Sequence, residues 1–66
     1  MKITDSYTAC AIAEGFYEGN YNEEDELEAW QFLVNTGLCW KLQGWYGRTA
    51  MAMIEAGLIT EYNDND

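Results

Sequence analysis

The sequence predicts an all-α protein, a small three-helix bundle with helices over about residues 6–17, 22–36 and 38–56, the last two packed like a helix-turn-helix. Three observations carry this prediction. Proline is absent, which fits helices joined by short connections. Apolar residues recur at helical spacing through each of the three stretches. Gly37-Leu38 and Gly57-Leu58 punctuate the second and third stretches, since glycine closes a helix in the left-handed conformation and the following leucine folds back onto its last turn.

Met1 to Thr4 read as a short lead-in. Thr4, Asp5 or Ser6 offers a side-chain oxygen to the unpaired amides of the first helix. From Ser6 to Tyr17, one side carries Ala9, Ile12, Ala13 and Phe16, and the other carries Tyr7, Glu14 and Glu18. Gly15 weakens the last turn. Gly19 to Asn22 form the connection, and Asn20 or Asn22 caps the second helix. Glu23, Glu24, Asp25 and Glu26 then occupy its first turn, where the positive end of the helix dipole favours carboxylates. Leu27, Trp30, Leu33 and Val34 face the core. Phe32 points away from that stripe toward Asp25 and Glu28, so it is either exposed or covered by the first helix.

The third helix is read as continuous, with Leu38, Leu42, Trp45, Thr49, Ala52, Met53 and Ala56 on its core side. Trp40, Gly44, Gly47, Met51 and Ile54 fall on roughly the opposite side, and Lys41, Arg48 and Glu55 form a polar strip between. A helix apolar on two sides has two neighbours, within the monomer or in a partner. Each interior glycine costs about 1 kcal/mol relative to alanine, so Gly44 and Gly47 need a reason. One is the close approach of a second backbone; the other is a break near Gln43 with a restart near Arg48.

The chain is expected to form one domain over residues 1–66, with residues 60–66 as a frayed tail. A chain of 66 residues buries only about 60% of the surface it exposes unfolded, so its ten aromatic rings are an economical source of buried area. The net charge of −9, with no basic residue between Ile3 and Trp40, argues against direct binding to nucleic acid or an anionic membrane. No apolar run approaches the length of a membrane span. Without a secretory signal at the start, the expected place is the cytoplasm, with Cys10 and Cys39 reduced.

No catalytic, cofactor-binding or metal-binding residue is expected. Histidine is absent, removing the commonest general base and metal ligand, and two cysteines alone fall short of a structural zinc site. Gly44 and Gly47 lack the strand and the Lys-Ser/Thr pair of a phosphate loop. The Asn63 to Asp66 tail lacks the spacing, glycine and terminal glutamate of a calcium loop. The Leu33 to Ile59 segment resembles half of a helix-turn-helix, yet only Lys41, Gln43 and Arg48 could reach phosphates or base edges.

Trp30, Thr36 to Leu38, Trp40, the run Leu42-Gln43-Gly44-Trp45-Tyr46-Gly47-Arg48, and Ile54, Glu55 and Gly57 resemble the shared core of a family of short acidic proteins of tailed bacteriophages. The resemblance covers about half the chain. It implies a phage origin and expression in the cytoplasm of an infected bacterium, and it implies no activity. The expected function is therefore that of a non-enzymatic accessory protein binding a host or phage protein. Two surfaces are candidates: Trp40, Gly44, Tyr46, Gly47, Arg48 and Met51, or the acidic face of Glu23, Glu24, Asp25, Glu26 and Glu28. Alternatives are a homodimer or assembly contact through the second apolar face, and mimicry of DNA by the carboxylates. Trp40 and Arg48 also have a plainer reading, in which the indole belongs to the core and the guanidinium bridges Glu55 or an acidic residue of the second helix.

Overall fold

Asn22 decides where the central helix begins. Its side-chain oxygen accepts from the Asp25 amide at 2.9 Å, and the Asp25 carboxylate accepts from the Asn22 amide at 3.0 Å. This reciprocal capping box satisfies two amides that the first turn leaves unpaired. The computed structural model describes residues 2–61. They form α1 (Ser6–Glu14), α2 (Glu23–Asn35), a single 3₁₀ turn (Leu38–Trp40) and α3 (Gly44–Glu55), with no strand among the described residues. The three-helix bundle read from the sequence is the fold.

The core gathers Ile3, Ala9, Ile12, Ala29, Trp30, Leu33, Val34, Cys39, Tyr46, Ala50 and Ile59. The α1 and α2 backbones run close together, with Ala9 and Ala29 fully buried. The α3 backbone approaches the 3₁₀ turn more closely than it approaches α1 or α2. Rings span that wider gap. Trp30 meets Trp45 edge-on at 6.1 Å and Tyr46 at 5.7 Å, while Trp45 and Tyr46 stack at 4.2 Å.

Both ends of the described chain are fastened to α2. The Ile3 amide donates to Glu28 at 2.9 Å. The Gln31 side-chain amide donates to the Thr60 carbonyl at 2.8 Å, and its oxygen accepts from the Thr60 amide at 2.9 Å. Ile3 and Ile59, beside these bonds, are buried. Thr60 is thus held rather than frayed; the acidic tail from 62 to 66 lies outside the described residues.

Helix limits differ from the sequence reading in two places. The first helix is capped by Asp5, whose carboxylate accepts from Thr8, and it ends at Glu14 instead of residue 17. Gly15 stops it at φ 85°, and the Phe16 amide turns back to the Ala11 carbonyl at 2.9 Å. Phe16 therefore leaves the Ala9–Ile12 face and stands 52% exposed. Gly37 and Gly57 close the other two helices at φ 79°, as their Gly-Leu pairs predict.

The stretch expected as one helix over 38–56 is instead the 3₁₀ turn followed by α3. The break falls at Gln43, whose extended backbone (φ −60°, ψ 154°) precedes a restart at Gly44 rather than Arg48. The break resets the helical phase, so Leu38 and Leu42 no longer set the face that α3 turns to the core. Tyr46 and Ala50 are buried, Trp45, Thr49 and Met53 are half-buried, and Leu42, Ala52 and Ala56 are exposed. Residues 36–43 separate α2 from α3, longer than the three- or four-residue turn of a helix-turn-helix.

Candidate functional site

Trp40 closes the 3₁₀ turn and is 49% exposed, although burying an indole is among the largest apolar gains open to a short chain. Its ring rests against α3 at Gly47: a Cβ built there would lie 3.4 and 3.6 Å from two ring carbons, and 3.8 Å from the Cys39 carbonyl. The close neighbours of Gly47 are therefore this indole and, just beyond it, the backbone of the 3₁₀ turn. Gly44, Gly47, Arg48 and Met51 share one strip of α3, being spaced by three, four and seven residues. Gly44, Arg48 and Met51 are exposed and Gly47 is half-buried. An exposed thioether and guanidinium thus share the strip of α3 on which the indole rests at Gly47. Aromatic, methionine and arginine side chains are the types enriched where proteins meet.

Tyr46 does not join them. It is 3% exposed, stacked on Trp45 and tilted against Trp30, and its hydroxyl donates to the Glu14 carboxylate, joining α3 to the end of α1. Burial, the Glu14 bond and the nearby Cys10 thiol push its pKa well above the ordinary tyrosine value. This ring is core, and its consecutive neighbour Trp45 completes the aromatic seam.

The acidic face divides in the same way. Asp25 is 8% exposed and serves the capping box, and Glu28 is half-buried and receives Ile3. Glu23, Glu24 and Glu26 are exposed in the first turn of α2. Two of the five carboxylates therefore hold the fold together, leaving three facing solvent.

Residues 11–65 match the family described as a domain of unknown function, DUF7417. The chain belongs to that family. The matched span begins inside α1 and takes in all of α2, the 3₁₀ turn and α3, and with them every candidate residue of both surfaces. No curated protein and no solved structure matches the chain.

In this DUF7417 chain Cys10 and Cys39 are free thiols, Cys39 buried and its pKa raised by that burial. Among the described residues no group of three or more Cys, Asp or Glu side chains could hold a metal ion. Among the described residues no helix is long and apolar enough to cross a membrane. Sequence reasoning missed the Tyr46–Glu14 bond and the Gln31–Thr60 clamp, and nothing in the spacing of those residues signals either. It also missed a depression beside α1, which Gly15-Phe16 could have pointed to, since that pair repeats the Gly-then-apolar punctuation of the other two helices.

Proposed function

We propose that this DUF7417 chain is a non-enzymatic phage accessory protein that acts in the cytoplasm of an infected bacterium by binding a host or phage protein. The contact surface is Trp40 with Gly44, Gly47, Arg48 and Met51. The half-exposed indole seated on Gly47 carries this reading, because a short chain forgoes buried area by leaving it in water. The phage resemblance supports it, since its most specific run, Leu42 to Arg48, borders that same indole. The exposed Glu23, Glu24 and Glu26 support a second reading, in which carboxylates occupy a basic groove in place of DNA.

Tagged protein, incubated with host lysate at moderate and at high salt, tests both. The expected outcome is one host protein retained at both salts, lost when Trp40→Ala and Arg48→Ala are combined, with helical circular dichroism unchanged. Retention only at moderate salt, in competition with DNA, would favour the carboxylates. Undiminished capture by the double variant would remove Trp40 and Arg48 from the contact. Concentration-dependent dimerisation in sedimentation equilibrium, abolished by the same substitutions, would assign the face to self-association.

A further inference from the structure

A second aromatic surface lies on α1 and the loop after it, built by the turn that sequence reading missed. Gly15 reverses the chain so that the Phe16 ring swings beside Tyr7, the two meeting edge-to-face at 6.4 Å and 66°. Tyr17 follows, held edge-on to Tyr21 at 5.8 Å. Its ring lies over Gly19 so closely that a Cβ there would come within 2.7 Å of it, so only glycine leaves the ring in place. Tyr7, Ala11, Phe16, Tyr17, Glu18 and Gly19 thus line an open depression of about 290 Å³.

Three features set the chemistry of its occupant. The walls are rings, two of them well exposed, with Tyr7 at 74% and Phe16 at 52%. Ring faces attract cations within about 6 Å of their centres. Glu18 adds a carboxylate at the same depression, and no basic residue lies between Ile3 and Trp40 to neutralise it from within the segment. The depression is small and open to solvent, with room for one side chain presented from a partner's surface. A guanidinium meets all three conditions best, since it is planar, stacks on aromatic rings and pairs with a carboxylate through two parallel N–H groups.

We propose that this depression receives an arginine side chain of a partner protein. The assignment names a partner chemistry for a protein-binding chain, and it uses a surface other than that of Trp40, so the two can fail separately. Titration of the full chain with acetyl-arginine amide, followed by amide and ring-proton NMR at physiological ionic strength, tests it. The expected result is saturable shifts at Gly19 and at the Tyr7, Phe16 and Tyr17 rings. Acetyl-citrulline amide, of the same shape without the charge, should bind weaker by on the order of tenfold. Tyr7→Ala and Glu18→Gln should each weaken arginine binding by about two- to fivefold, and Glu55→Gln on α3 should leave it unchanged. Equal binding of citrulline would overturn the proposal, as would equal weakening by Glu55→Gln, which would reveal only diffuse attraction to an acidic chain. Acetyl-lysine amide binding as tightly as arginine would overturn the guanidinium assignment. Circular dichroism of each variant shows that its fold is intact, and Glu18→Gln, a solvent-facing change of little volume, decides the question should Tyr7→Ala disturb α1.

Discussion

The bundle has two seams built on different principles. Between α1 and α2 the backbones run close, Ala9 and Ala29 are fully buried, and Asp5, Asn22 and Gly15 fix the helix ends. Between α2 and α3 the backbones stand further apart, and Trp30, Trp45 and Tyr46 fill the space. The first seam is specified by short-range chemistry, in which each cap acts within a few residues of itself. The second depends on rings meeting across the fold. Trp40 rests instead on Gly47 of α3 and is half in water, while Trp30 is buried and Trp45 half-buried.

Breaking the ring seam should have the largest effect. Trp30→Ala is expected to cost about 3–5 kcal/mol, a large share of the stability of so short a domain, and urea denaturation should find it barely folded or unfolded. An undiminished midpoint would mean that α3 is held by something other than these rings.

Tyr46→Phe tests the polar end of the same seam. It keeps the stacking and removes the hydroxyl bond to Glu14, for an expected loss of about 1 kcal/mol near neutral pH. The pH dependence sharpens the test. Tyr46 is raised in the folded state above its ordinary value of 10.0, so the folded protein holds its proton more tightly than the unfolded chain does. Its contribution is fully present below pH 10 and is lost as pH climbs beyond that toward the folded value. Stability of the native chain should therefore fall through the alkaline range, and Tyr46→Phe should flatten part of that fall. Cys39, raised from 9.0 by burial, contributes with the same sign and should persist in the variant. Identical alkaline slopes for the two proteins would show that the hydroxyl ionises freely.

The close seam should respond to its caps. Asn22→Ala removes one half of the capping box and is expected to cost about 1 kcal/mol, with faster hydrogen exchange in the first turn of α2. The smallest effect should be of opposite sign. Gly47→Ala places a methyl in ordinary contact with the Trp40 ring and relieves glycine's helix penalty, so it should stabilise by about 0.5–1 kcal/mol. Destabilisation would show that the indole sits more tightly on α3 than contact at 3.4 Å implies.

Legibility in the sequence follows the same division. Asn22, the acidic first turn of α2 and the Gly-Leu stops at Gly37 and Gly57 are readable, because capping and left-handed closure act over one turn of chain. Gly15 carries the same signal with phenylalanine in place of leucine, and reading it as a weak point puts Phe16 on the wrong face. A break at Gln43 is one of two readings that Gly44 and Gly47 allow. The apolar period continues across it and nothing local forbids a helix there, so the pattern favours the continuous helix that the fold does not form. Of the candidate surface, Trp40, Gly44, Gly47, Arg48 and Met51 stand together, while Tyr46 is core. Of the acidic face, Asp25 and Glu28 are engaged within the fold.

The sequence by itself determined that this is a short, acidic, proline-free chain of three helices, and where two of them stop. Those outcomes rest on backbone conformations and caps that involve neighbouring residues only. The tertiary structure alone decided which aromatics are buried, that both ends of the described chain are tied to α2 through Glu28 and Gln31, and which rings remain exposed. Each of those depends on contacts between residues well separated along the chain. Once the chain reset its helical phase at Gln43, the linear pattern no longer said which face of α3 would meet the core.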